Sequence, residues 1–209
     1  MQPGRILIYG DSNVWGDKGF GENGVPLGRY AAKQQWPNIL QQLLGDEYDI
    51  IQAGLCGRTA GEYAEQTPYL GGKIGYEIAL REASPVEGVI IALGVNDASH
   101  KRVPDEQIVA DLQWYSTYTR AYAADSENDM ASGGSVWYIA PAIAPVQRYK
   151  PLASKLHCIN EKLRTTHTTI SNPLDENDDY APDGIHFSQH GHQRIAQAIY
   201  KAIKEGVAR

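Results

Sequence analysis

The sequence predicts an α/β fold with a parallel sheet, and three observations carry that expectation. Short apolar runs of strand length alternate with longer helix-like stretches. The chain is 42% hydrophobic and 21% charged, a globular composition. Its 209 residues fit one hydrophobic core and would crowd two, so a single domain spanning 1–209 is expected.

Taken in order, the strands are Arg5 to Tyr9, Tyr48 to Ala53, Gly88 to Leu93 and Ser135 to Ala140, with Thr168 to Ser171 a weaker fifth. The intervening helices are Trp36 to Leu44, where Pro37 suits a first turn, then Gly72 to Ala83, Pro104 to Ala124 and Leu152 to His167. A last helix over Gln189 to Glu205 has Ser188 as its cap, and Ile195, Ala196, Ile199, Ala202 and Ile203 recur at three- and four-residue spacing. Two long loops, Asp17 to Gln35 and Asn172 to Ile185, interrupt the pattern, and long loops in compact domains are often functional. The acidic run Asp175 to Asp179 reads as a solvated loop face.

Charge and hydropathy narrow the partners. Nineteen Lys and Arg against twenty-five Asp and Glu give a net charge of −6, the wrong sign for neutralising phosphates, so nucleic acid is not expected. The longest apolar stretch, Val89 to Leu93, is far shorter than a membrane span, so no membrane insertion is expected. The start Met1-Gln2-Pro3-Gly4-Arg5 runs quickly into Gly10-Asp11-Ser12 with no room for a signal peptide, and a cytoplasmic location follows as an expectation. Cys56 and Cys158 are far apart and lack metal-site spacing, so both read as reduced thiols.

Ligands of parallel α/β sheets bind beyond the carboxyl ends of the strands. Three strands end in chemically loaded segments: Gly10-Asp11-Ser12-Asn13, Ala53-Gly54-Leu55-Cys56-Gly57 and Gly94-Val95-Asn96-Asp97. The loop before the last helix adds Asp183-Gly184-Ile185-His186. A serine hydroxyl needs a base to become a nucleophile, and histidine is suited to that task near neutral pH. Ser12 and His186 are the expected pair, and Asp183, three residues earlier, can orient the imidazole. An oxyanion hole would come from the N–H groups of Ser12 and Gly54 and the amide of Asn96, with Gly54 letting the backbone approach the substrate.

These four blocks, in order, resemble those of the SGNH (GDSL-type) hydrolase family. The stretches Ile8 to Gly16, Trp36 to Leu44, Gly54 to Thr59 and Val89 to Asp97 look like its arylesterase and acetyl-ester hydrolase branch. The resemblance implies a three-layer α/β/α fold of flavodoxin-like strand order 2-1-3-4-5, a Ser/His/Asp mechanism with no cofactor or metal, and a shallow, tolerant acyl site. Gln52-Ala53 stand where members often carry Asn before the second-block glycine. The expected function is a serine esterase acting on short-chain, acetyl-sized esters of sugars or small alcohols. A thioesterase or lysophospholipase with the same triad, and a non-catalytic binding module that keeps the fold, are the alternatives.

Other features read as structural. Asp11 and Asp97 are expected to cap and turn the chain. His186, His190 and His192 cluster in sequence but should face different ways, so no metal is expected. Gly19 to Gly24 matches a dinucleotide-binding pattern only by letter, because no strand precedes it and no helix follows. No G-x-S-x-G occurs, which sets aside the α/β-hydrolase elbow. Cys56 reads as a small buried residue. Trp15 and Arg58 are candidate substrate contacts, and Trp36 a weaker one. The Asp17 to Gln35 loop would cover the acyl pocket or form a contact in a homo-oligomer.

Overall fold

Side-chain alternation along the central strands sets the two faces of the sheet. In β1 (Gly4–Gly10), Leu7 and Tyr9 point to one side and Ile6 and Ile8 to the other, all fully buried. β3 (Gly88–Ala92) and β4 (Ser135–Ile139) repeat the pattern with Val89, Ile91 and Tyr138 opposite Ile90, Trp137 and Ile139. With β2 (Tyr48–Gly54) and the short β5 (Thr169–Ile170) they form one five-stranded sheet of order β2-β1-β3-β4-β5, every pairing parallel. This computed structural model describes residues 3–21, 23–63, 68–124, 135–175 and 177–205.

The Leu7 and Tyr9 face packs against α3 (Gly72–Ala83), α5 (Asp105–Ala124) and α6 (Lys150–Thr166), through Tyr76, Leu80, Ile108, Leu112, Tyr115 and Ile159. The Ile6 and Ile8 face packs against α2 (Trp36–Leu44) and α7 (Gln189–Lys204), through Trp36, Leu40, Ile195 and Ile199. The result is the three-layer α/β/α arrangement. Ser188 caps α7 as expected, its hydroxyl accepting from the Gly191 N–H at 3.1 Å. Among the described residues no helix is long and apolar enough to cross a membrane.

Two helices were not legible as such, α1 (Ser12–Trp15) and α4 (Val95–Ser99), because four or five residues carry no periodic signal. Both begin directly after a strand, and the register sets Gly10 level with Gly54 on one side and Ala92 on the other. The segments following β1, β2 and β3 therefore emerge at one rim. The Asp17 to Gln35 loop folds back on itself through antiparallel bridges between Asp17 and Arg29 and between Phe20 and Pro26, forming a hairpin at the same rim.

The acidic run differs from expectation. Asp179 is fully buried, paired with Arg194 of α7, and its carbonyl accepts from Ser188 N–H at 2.9 Å. Only part of the run faces solvent, because this loop packs beneath the start of α7.

Candidate active site

Ser12 opens α1 at the carboxyl end of β1, between β2 and β3 in the sheet. Asp11 caps the turn, its carboxylate accepting from the Asn13 N–H at 2.9 Å. Burial pushes the Asp11 carboxyl up to about 6, against the lowering effect of that N–H and of the nearby His186 and Arg58 charges. Ser12 is itself buried, 7% exposed, and its hydroxyl makes no hydrogen bond to another described residue.

The next residue, Asn13, joins this turn to the far end of the chain. Its Oδ1 accepts from the Phe187 N–H at 2.9 Å, and its Nδ2 donates to the Ile185 carbonyl at 3.3 Å. His186 lies between those two anchor points, so a residue adjacent to Ser12 holds the histidine loop against the serine turn. Sequence reasoning gave Asn13 no role; its signal was an amide side chain directly after the candidate nucleophile.

Asp183 and His186 form a short pair, Oδ2 to Nδ1 2.7 Å. The other oxygen, Oδ1, accepts from the N–H groups of Ile185 and His186 at 2.9 and 3.0 Å. A fourth donor, the Phe20 N–H, reaches Oδ2 at 3.0 Å from the hairpin. Burial alone would raise the Asp183 carboxyl, but these four donors outweigh it and hold it at about 2. For His186 burial disfavours the charged ring, yet the hydrogen bond to Asp183 and the charges of Asp183, Asp17 and Asp11 leave its pKa above the ordinary value. The Asp183 carbonyl is anchored in turn by Tyr149 Oη at 2.6 Å and Arg148 Nη2 at 2.8 Å. With one ring nitrogen oriented by a carboxylate, the other, Nε2, is left to exchange a proton.

The hairpin closes the outer side of this pair. A Cβ on Gly19 would lie 2.0 Å from Asp183 Oδ2 and 2.8 Å from His186 Nδ1, so the bare backbone is what allows the approach. The Phe20 ring stands edge-on to the imidazole, centroids 6.4 Å apart. Asp17 Oδ2 lies 3.9 Å from His186 Nε2 and accepts from the Cys56 thiol at 3.4 Å. Burial first, and then Asp17, push the Cys56 thiol up to about 12, so it stays protonated at neutral pH and serves as a donor.

Set against known proteins, the arrangement has clear kin. The family model of the GDSL-like lipase/acylhydrolase family matches residues 8–194. The chain belongs to that family. This acylhydrolase, a carboxylic ester hydrolase, shares its fold with the native aryl esterase of M. smegmatis at TM-score 0.81 and 24% identity, over 97% of this chain and 99% of the other. A carbohydrate acetylesterase from Sinorhizobium meliloti superposes with the same TM-score, identity and coverage. No curated protein matches the chain in sequence.

The acylhydrolase treats several expected site residues differently from their sequence reading. A Cβ on Gly54 would fall 2.3 Å from the Trp15 nitrogen and 2.7 Å from Trp15 Cα, so the packing of α1 on β2 already requires the glycine. Asn96 Nδ2 donates to the Arg58 carbonyl at 2.9 Å, which sets the amide beside the turn closed by Arg58 N–H to the Leu55 carbonyl at 3.1 Å. Gly57 sits in that turn, and its N–H makes no hydrogen bond among the described residues. Arg58, expected at the substrate, turns inward: Nη1 donates to the Gly10 and Ala53 carbonyls at 2.8 and 2.6 Å, and the guanidinium lies 4.0 Å over the Tyr9 ring. It ties the ends of β1 and β2 together. Trp15 is half-buried, with the Arg29 guanidinium stacked 4.6 Å from its ring and Arg29 Nε on its carbonyl at 2.8 Å.

Other positions gained a role or changed one. Gln52 donates to the Val14 carbonyl and to Gln35 Oε1, and accepts from Asn38 Nδ2, so it joins α1, β2 and α2. Asp97 does not cap α4. Its Oδ1 accepts from the Ala60 and Gly61 N–H groups at 2.8 and 3.2 Å and from Tyr63 Oη at 2.7 Å, holding the segment after β2 against α4. The three clustered histidines face different partners: His186 meets Asp183, His190 lies 3.2 Å from Asp179, and buried His192 accepts from the Trp36 N–H at 3.3 Å.

Proposed function

We propose that this enzyme hydrolyses short-chain, acetyl-sized esters of sugars or small alcohols through an acyl-enzyme on Ser12. The observation that carries the reading is the 2.7 Å contact between Asp183 and His186, held to the Ser12 turn from both sides by Asn13. In this reading His186 Nε2 takes the Ser12 proton as the oxygen attacks the acyl carbon, and gives it to the departing alkoxide. Water then repeats the sequence and releases the acid. Asp183 keeps Nδ1 protonated and stabilises the imidazolium. The short acyl length is supported by fold likeness to the carbohydrate acetylesterase. A series of p-nitrophenyl esters from acetate to decanoate tests it. Highest kcat/KM at two to four acyl carbons is expected, whereas a maximum at long chains would favour the thioesterase or lysophospholipase reading.

For the developing oxyanion the donors are the Ser12 N–H, Asn96 Nδ2 and the N–H of Gly57, which takes the place first expected of Gly54. The support is that Asn96 adjoins the turn carrying Gly57, whose N–H makes no hydrogen bond among the described residues. Asn96→Ala is expected to lower kcat by ~10²–10³, the cost of removing one preorganised donor. A change confined to KM would assign the amide to ground-state binding instead.

A further inference from the structure

We propose that Asp17 is a specificity-determining residue on the leaving-group side, where its carboxylate accepts a hydrogen bond from a hydroxyl next to the ester oxygen of a polyol or sugar substrate. The proposal rests on the triad reading above. In that mechanism Nε2 of His186 must lie within hydrogen-bond reach of the departing oxygen when the C–O bond breaks. Asp17 Oδ2 is 3.9 Å from that nitrogen, so a hydroxyl one or two carbons beyond the departing oxygen comes within its reach. The carboxylate is held for this task. Oδ1 accepts from the Gly19 N–H at 2.9 Å, and Oδ2 accepts from the Cys56 thiol at 3.4 Å, a weak donor that leaves acceptor capacity. The Asp17 side chain is 23% exposed and that of His186 12%, so the carboxylate is reachable from solvent yet sheltered enough for a charged hydrogen bond to discriminate.

The bond changes are those of ester cleavage: Ser12 Oγ bonds to the acyl carbon, the C–O bond to the alcohol breaks, and the proton passes from Ser12 through Nε2 to that alcohol. Asp17 transfers nothing. It stabilises the bound alcohol and, by its charge, the imidazolium that forms beside it. Three carboxylates act on this ring, Asp183 on Nδ1, Asp17 on the Nε2 side and Asp11 by its charge, while burial opposes the charge. His186 works as a base only when neutral, so kcat/KM rises with pH through its raised pKa, and removing one of these charges moves that limb to lower pH.

The test compares kcat/KM for 2-hydroxyethyl acetate with that for its near-isostere n-propyl acetate, in wild type and in Asp17→Ala. The wild-type preference for the hydroxylated ester is expected to exceed that of the variant by about tenfold or more, the scale of a hydrogen bond to a charged group. Comparing ratios cancels the intrinsic reactivities of the esters and any general loss of turnover. Asp17→Asn, which keeps the shape and can still accept from Gly19 N–H, is expected to move the acid limb with phenyl acetate to lower pH by about half a unit or more. Equal ester ratios in wild type and Asp17→Ala overturn the specificity role, and an unmoved limb in Asp17→Asn overturns the proximity of its charge to the ring. If a fluorophosphonate fails to label Ser12 in wild type, the triad reading falls and this proposal with it; labelling with equal ratios removes the proposal alone.

Discussion

Ser12→Ala is expected to lower turnover of p-nitrophenyl acetate by roughly 10⁵-fold or more, since triad members act as a unit and losing the nucleophile removes the acyl-enzyme route altogether. The substitution should leave the fold intact. It deletes one oxygen that bonds no other described residue, while the Asp11 carboxylate still caps α1 through the Asn13 N–H. Three measurements check it together: the pre-steady-state burst of p-nitrophenol, covalent labelling by a fluorophosphonate, and the thermal unfolding midpoint. Loss of burst and label at an unchanged midpoint is the expected result. Retained turnover with retained labelling would place the nucleophile elsewhere and remove the proposed mechanism.

The second large effect comes from a residue that performs no chemistry. At Gly19 the backbone is left-handed, φ +71°, and an added Cβ would stand 2.0 Å from Asp183 Oδ2 and 2.8 Å from His186 Nδ1. Gly19→Ala therefore has to displace either the hairpin or the Asp183–His186 pair. Asp183→Asn, which disturbs the histidine tautomer, is expected to cost about 10⁴-fold in kcat, and Gly19→Ala should cost ~10²–10⁴ by moving the same carboxylate. Backbone strain alone would be about 1–2 kcal/mol for a left-handed alanine. Gly24→Ala separates the two causes. Gly24 lies in the same hairpin at φ +72°, but nothing lies within 4 Å of its would-be Cβ, so near-wild-type kcat is expected there. Equal losses at both positions would mean that loop strain, not the contact with Asp183, controls activity.

Much of the fold was legible because its signals are local. Pro37 and the buried spacing of Trp36, Leu40 and Leu44 mark α2, and the Ser188 cap with Ile195 and Ile199 marks α7. The blocks around Ser12, Asn96 and His186 stood out because each follows a strand or precedes a helix and carries residue types with few structural substitutes. Errors arose where one residue type serves both purposes. A glycine beside a candidate site has the same letter whether it admits a substrate or a helix, and Gly54 admits α1. Arg58 has the reach to hold a substrate, but the ends of β1 and β2 present carbonyls that a buried guanidinium can satisfy, and it turns to them. The acidic run contained a carboxylate whose partner, Arg194, lies a loop and a helix turn away.

By itself, then, the amino-acid order determined the strands and longer helices and the class of chemistry, and it singled out the three side chains proposed to carry that chemistry, because hydrophobic period, caps and strand-end motifs act over a few residues. Tertiary structure alone decided which groups surround those side chains. Asn13 meets Ile185 and Phe187, the Gly19 backbone meets Asp183, and Asp17 meets His186 across more than 160 residues of chain. Such meetings depend on how a parallel sheet gathers the ends of its strands at one rim and on which loops fold back over it, and no local spacing encodes either.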